Sequence, residues 1–262
     1  MQAMNVVVCV KQIPDPAAPA SLDESTHTLD RTGKLILDDS DSYGVEMALQ
    51  LADTEAGDEV VLVSMAPNGE VSGLRTALAM GAAKALLVSD PVLAGTDALG
   101  TAKVLAAAIR RVEPDLVIAA TESTDGYTGT LPVQVAEILG LPSVTFAKSI
   151  SIDGSNVKVE RQTEAGYDEV ESPMPVVVTV TAGVVEPRYP SFKGIMAAKS
   201  KPVETLTVAD LGLDASEVGV SGSRQEIVDV SEAESRSGGE IVVDEGDGAD
   251  RIVAFLEQIK VI

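Results

Sequence analysis

Cysteine, histidine, tryptophan and positive charge are all scarce in this chain, and each shortage narrows what it can do. The single cysteine, Cys9, excludes an internal disulfide, a Cys-x-x-Cys redox pair and a cysteine zinc site. The single histidine, His27, lies in a polar stretch and reads as a solvated residue. No Ser/His/Asp constellation and no His/Cys/carboxylate metal spacing forms around it. Tryptophan is absent and aromatics are 3% of residues, so the core must be built from Val, Leu, Ala and Ile. Nineteen Lys+Arg against 41 Asp+Glu give a formal net charge of −22. That balance argues against a nucleic-acid backbone or an anionic membrane as partner. The surplus suits a partner with basic patches, and equally suits solubility in a host with an acidic proteome. There is no long uncharged apolar run and no basic-plus-apolar leader. The chain is expected to be soluble and cytoplasmic, in a bacterial cell, with no membrane insertion.

With 45% apolar content over 262 residues, there is material for one large α/β domain and an appendage. Asn5–Val10 is a short β-branched run that reads as a buried parallel strand. Two prolines in Lys11–Pro16 then end regular structure. Residues 17–40 read as a loop or hairpin, with a short strand near Lys34–Leu37. Asp38–Ser42 supplies N-cap candidates for a helix carrying Val45, Leu49 and Ala52. Strands follow at Val60–Ser64, Ala85–Val88, Leu116–Ala119 and Ser143–Phe146. Between them lie helices around Leu74–Leu78, ending at Gly81, then Ala98–Arg111, then Pro132–Leu139 closed by Gly140. This alternation predicts a mainly parallel, doubly wound (Rossmann-like) sheet. After residue 147, Ser149–Ile152 and Val157–Arg161 flank the hairpin signal Asp153-Gly-Ser-Asn156. Tyr167–Glu171 and Val176–Thr181 follow, so added antiparallel strands are expected. From Asp214 to Gly248 the composition suits an extended C-terminal arm. It ends in an amphipathic helix over Asp250–Ile262, which docks on a partner or on the chain's own core.

The polar loop Ala119–Gly129 joins a strand's carboxyl end to a helix start. In an open α/β sheet that crevice is where ligands bind, and successive N–H groups at a helix start favour an anion. The loop carries neither GxGxxG nor GxxxxGK[ST], and the same residues also serve a simple turn. A nucleotide-sized crevice is expected between the ends of the first, second and fourth strands, lined by Cys9, Asp38–Asp41, Met65 and residues 119–129. Cys9 there is a small core hydrophobe or a pocket-lining residue. Asp125 accepts from a ribose hydroxyl or caps the next helix. Thr128 and the amides of Gly126, Tyr127, Thr128 and Gly129 are candidates for a phosphate.

Several blocks in order resemble one family over nearly the whole chain. They are Val10-Lys11, Arg75-Thr-Ala-Leu-Ala-Met-Gly-Ala82, Val159-Glu-Arg161, Glu164-Ala-Gly166, Glu169-Val170, Pro175-Val-Val-Val-Thr179, Glu186-Pro-Arg-Tyr189 and Ile195-Met196. The chain resembles the beta subunit of electron transfer flavoprotein, the FixA type. Ala165 departs from the acidic or glycine residue usual at its position. The resemblance implies an electron carrier, not an enzyme, paired with an alpha subunit that holds most of the redox-active FAD. It implies electrons taken from flavin dehydrogenases, such as those for acyl-CoA in fatty acid oxidation, and passed through a quinone-reducing oxidoreductase. It also implies AMP, bound structurally at Cys9, Asp38, Met65, Ala120, Ser123, Asp125, Gly126, Tyr127 and Thr128, with Gly129 beside them. The nucleotide loop is shorter than in the mitochondrial type. Asp38 stands where many members have asparagine, and Ser40 where an aromatic is common.

The resemblance further implies that the segment after Glu186-Pro-Arg-Tyr189 anchors in the dehydrogenase through Phe192, with Lys193, Ile195 and Met196 beside it. Lys193, Lys199 and Lys201 would form a basic rim; a Phe packed into its own core is the alternative. On this reading residues 1–190 bind the nucleotide, 191–213 recognise the partner, and 214–262 dock on the alpha subunit. Within the family, electron-bifurcating members oxidise NADH and bind a second FAD in place of AMP. Ser89–Asp97 bears some likeness to their Asp-rich segment, which would put Asp90 and Thr96 at its flavin end. Outside the family, the alternative is a stand-alone nucleotide-binding module of the universal-stress type.

Overall fold

Alternate residues of the short valine-rich strand Asn5–Cys9 (β1) are buried against different helices, and this sets the architecture. Val6 and Val8 join one core with Val45, Leu62, Leu74 and Leu78. Val7 joins the other with Val61, Val63, Val104, Ile109 and Val135. A strand buried on both faces must be central in a sheet covered by helices on both sides.

The structure, a computed structural model, describes residues 3–53, 56–231, 239 and 241–262. After β1 come two short strands, β2 (Gln12–Pro14) and β3 (Leu35–Leu37), then α1 (Asp39–Leu51), β4 (Glu59–Met65), α2 (Ser72–Met80) and β5 (Lys84–Val88). The chain continues through α3 (Ala98–Arg110), β6 (Leu116–Ala120), α4 (Leu131–Leu139), β7 (Ser143–Asp153), β8 (Asn156–Thr163), β9 (Gly166–Pro173) and β10 (Val176–Val180). It closes with α5 (Phe192–Ala198), β11 (Val203–Leu206), α6 (Gly219–Gly222) and α7 (Gly248–Gln258). Among the described residues the main sheet has the order β11-β5-β4-β1-β6-β10-β7-β8-β9. Pairings are parallel from β11 to β7, and the β7–β8 and β8–β9 pairings are antiparallel. β2 and β3 form a separate antiparallel pair. The mainly parallel, doubly wound class with antiparallel additions is therefore what the chain adopts.

Helix boundaries follow local chemistry. Asp38 caps α1 by accepting from Ser40 N at 3.0 Å, and α4 stops at Gly140 with φ 71°, where a side chain would be strained. Gly73 lets α2 lie directly on the β2–β3 pair: a Cβ there would sit 2.7 Å from Gln12 Cγ and 2.9 Å from Leu37 N.

Three expectations need correction. Within Lys11–Pro16, expected to end regular structure, Gln12–Pro14 forms β2, paired with β3. Ser143–Phe146 and Ser149–Ile152 belong to one strand, β7, whose pairing shifts register between Ala147 and Ser149. Its first half pairs parallel with β10 and its second half antiparallel with β8; Phe146, at φ 60°, lies beside this irregularity. Val176–Val180, expected among the antiparallel additions, instead lies between β6 and β7 and is parallel to both. All five of its residues are buried, the mark of a central parallel strand. β11 had no sequence signal, since Glu204 and Thr205 are exposed on an edge strand.

The chain divides into two compact units, Met1–Ile227 and Val228–Ile262. Within the first, α5 packs against α2, and Arg75 Nη1 donates to Ala198 O and Lys201 O at 2.7 and 2.8 Å. The second contains α7, and none of its described residues is buried. Among the described residues no helix is long and apolar enough to cross a membrane.

Candidate functional site

β4 and β5 lie on one side of β1 and β6 on the other, so the chain reverses its direction of sheet growth at β1. A crevice at the carboxyl ends of the strands opens at such a point. Here it is a cavity of about 570 Å³, lined among others by Cys9, Lys11, Arg31, Asp41, Met65, Ala120, Ser123, Thr128, Gly129 and Leu131. That size falls within the roughly 300–1,000 Å³ of small-molecule sites. A smaller cavity of about 240 Å³ touches Asn5, Lys84, Arg111 and Glu204. Its cations are already paired, Lys84 with Glu59 and Arg111 with Glu204.

One wall of the larger cavity is the loop after β6, fixed by two buried carboxylates. Asp38, fully buried, accepts from Thr124 N at 2.8 Å and Thr124 Oγ1 at 3.1 Å while it caps α1. Asp125, whose side chain is 6% exposed, accepts from Lys11 Nζ at 2.6 Å and from Arg31 Nη2. Lys11 Nζ also donates to Ser123 Oγ at 3.2 Å. Burial alone would raise the Asp125 carboxyl, but Lys11 and Arg31 outweigh it and hold it below its ordinary range.

The cap alternative for Asp125 is therefore overturned: the N-cap of α4 is Thr130, with no side-chain cap bond, and the carboxylate is occupied by two cations. The residues at the loop's outer end face away. Tyr127 is 67% exposed, and none of Asp125, Gly126 and Tyr127 lines the cavity. Asp38 is likewise behind the wall. Cys9, Met65, Ala120, Ser123, Thr128 and Gly129 are brought together around the space.

Sequence reasoning missed Lys11 and Arg31 as site residues, although both belonged to stretches it marked as irregular. Asp41, within the Asp38–Asp41 stretch expected to line the crevice, does line it. Asp41 is 6% exposed and accepts from Lys11 N at 2.5 Å. Burial is the main reason its carboxyl is pushed well above the ordinary range; Asp38 and Asp125 add to the rise, and Lys11 opposes it. Burial, with the nearby Asp41, also pushes the Cys9 thiol up to about 12. Cys9 is thus a neutral, half-buried wall residue, with no thiolate to act as a nucleophile.

Two features make the cavity fit for a nucleotide. The first N–H groups of α4, next to Thr128 and Gly129, have no side-chain cap, which leaves a helix start able to take an anion. The facing wall from Cys9, Met65, Leu93, Ala94 and Leu105 is largely apolar. Among the described residues no cluster of His, Cys, Asp and Glu is placed to hold a metal.

At the segment expected to recognise a partner, Phe192 is 81% exposed, Tyr189 93%, and Ile195 and Met196 about half, so Phe192 does not pack into the core. Glu46, 3% exposed, holds this segment by accepting from Arg188 Nε at 2.5 Å and Nη2 at 2.9 Å. Lys193 and Lys199 are exposed. Lys201 is not part of their rim: its Nζ donates to Leu78 O and Ala82 O at 2.9 and 2.6 Å, closing the end of α2.

The model for the electron transfer flavoprotein domain matches residues 26–211. The electron transfer flavoprotein subunit beta of Mycobacterium leprae is 39% identical, over 98% of this chain and 99% of that one. The protein of the same name from Megasphaera elsdenii is 35% identical over 95% of each. The Caffeyl-CoA reductase-Etf complex subunit CarD of Acetobacterium woodii is 35% identical over 91% and 92%. A match along the full length displaces the stand-alone universal-stress reading. The chain belongs to the electron transfer flavoprotein beta-subunit family, and as such is a non-catalytic electron carrier.

Proposed function

We propose that the cavity at the ends of β1, β4 and β6 holds AMP as a structural nucleotide, while the redox-active FAD is carried mainly by an alpha subunit in a cytoplasmic heterodimer. The observation that carries this is the uncapped start of α4 opening on a cavity of nucleotide size. In this reading Thr128, Gly129 and the first turn of α4 take the phosphate. Cys9, Met65 and Ala120 line the remainder. Asp38, Ser123 and Asp125 act by holding the loop, and Gly126 and Tyr127 complete its outer turn. The nucleotide performs no redox chemistry; it fills and fixes the crevice.

Electrons pass from flavin dehydrogenases, such as those for acyl-CoA, towards a quinone-reducing oxidoreductase. The exposed Phe192, with Ile195, Met196 and Lys193, is the proposed dehydrogenase anchor: an apolar tip with a cationic edge in a chain otherwise acidic. The C-terminal residues, with α7, are proposed to dock on the alpha subunit.

A second FAD in this chain, as in a bifurcating flavoprotein that oxidises NADH, is the other reading. It is favoured by the reach of the cavity to Leu93–Ala98. Against it, Asp90 is engaged with Val92 N and Val208 N, and Thr96 is engaged with Leu93 O and Gly219 N. Denaturing the purified heterodimer and separating the released nucleotides decides between them. One AMP and one FAD per heterodimer are expected; two FAD and no AMP would reverse the assignment.

A further inference from the structure

Between β2 and β3 the chain makes an excursion, residues 15–34, in which no residue is buried. Its base is held firmly. Ile13, Leu35 and Leu37 are in the core, Gln12 Oε1 accepts from Gly73 N at 2.8 Å, and Lys34 pairs with Asp15 at 2.8 Å. The excursion is also tied to itself. Leu22 bridges Leu29, Asp30 N donates to Ser21 O, and Asp23 accepts from the amides and hydroxyls of Ser25 and Thr26. Thr28, Leu29 and Arg31 of the excursion line the cavity.

Among the described residues, one contact joins it by hydrogen bond or ion pair to anything beyond β2 and β3: Arg31 Nη2 to Asp125. Asp125 belongs to the loop after β6, whose Ser123, Thr128 and Gly129 line the cavity, and it is shared with Lys11, which follows β1. We propose that residues 15–34 form a strap across the cavity, that the Arg31–Asp125 ion pair latches it, and that opening this latch limits ligand entry and exit. The proposal rests on the reading of the cavity as a nucleotide site.

A gate and a direct ligand contact differ kinetically. Loss of a latch speeds entry and exit by the same factor and leaves affinity unchanged, whereas loss of a contact speeds exit alone. The test uses the full-length protein with its alpha subunit and labelled AMP. Arg31→Gln is expected to raise association and dissociation rates together by about tenfold, the order of one charge-assisted hydrogen bond. Amide exchange across residues 17–33 should rise with them, and Arg31→Lys should restore part of the wild-type rates. Unchanged rates, or faster dissociation alone, overturn the gate while leaving the AMP site standing. A wild-type protein that takes up no AMP overturns the site reading, and the gate with it.

Discussion

The two units of this chain are built on opposite terms. In Met1–Ile227, Leu62, Leu74, Leu78 and Ile118 are fully buried between sheet and helices. In Val228–Ile262 no described residue is buried, and Ile252 and Phe255 stand 62% and 57% exposed on α7. An 11-residue helix is below the roughly 12–15 residues at which isolated helices become even marginal in water. The first unit carries its own reason to fold. The second presents an apolar face that its own unit does not bury, and this supports the proposal that it docks on an alpha subunit.

The largest expected effect tests that contrast directly. Leu62→Ala removes a side chain packed in the core between the sheet and α1 and α2, and should destabilise the isolated chain by about 3 kcal/mol. Phe255→Ala should change it by less than about 0.5 kcal/mol, yet weaken association with the alpha subunit. Urea denaturation and a titration of the heterodimer measure the two. Equal destabilisation by both would show that α7 belongs to the same cooperative unit and break the comparison.

A region between these extremes sharpens it. Tyr189 and Phe192 are as exposed as the residues of α7, but their segment lies inside the first unit and is anchored by Arg188 on the buried Glu46. Burial would raise the Glu46 carboxyl; Arg188, with help from Gln50, outweighs it and lowers it below its ordinary range. Arg188→Met leaves that carboxylate buried without its cation. Breaking a fully buried pair costs about 3–5 kcal/mol; with Arg188 46% exposed, about 2 kcal/mol is expected here after allowance for solvent screening. Electron transfer from a dehydrogenase should fall as well, because the proposed anchor loses its footing. Unchanged stability would mean that the segment is held some other way.

How much of this was legible in the sequence follows the same division. Strands buried on both faces announced themselves as β-branched runs, and helix ends as Asp38 and Gly140. The position of β10 was not legible, because periodicity fixes that Val176–Val180 is buried but not which neighbours it joins. The bend in β7 was hidden for a related reason: a register shift at Ala147 leaves no composition mark. At the site, the small and apolar lining was readable from strand ends and the loop after β6. The cations were not, since Lys11, Arg31 and Asp125 meet only through tertiary structure, with sequence separations of 114 and 94 residues.

Asp41 offers the smallest and most diagnostic measurement, because it shows the first unit giving up stability at its own site. Its carboxyl is raised in the folded state well above the reference value of 3.8, so the folded protein retains a proton that the unfolded chain releases. Stability must therefore fall as pH rises from about 4 towards the folded pKa, by at most about 1.4 kcal/mol per pH unit. Asp125 has the opposite sign: its carboxyl is held low, so its contribution is present at neutral pH and lost as pH falls below about 4. Asp41→Asn keeps an acceptor for Lys11 N but has no proton to release. Its stability relative to wild type should rise steadily above pH 4, while the loss in acid stays the same in both proteins. Unfolding midpoints at several pH values separate the two slopes. Parallel curves across the whole range would place the pH dependence elsewhere and show that Asp41 is ionised in the fold, its burial offset by Lys11.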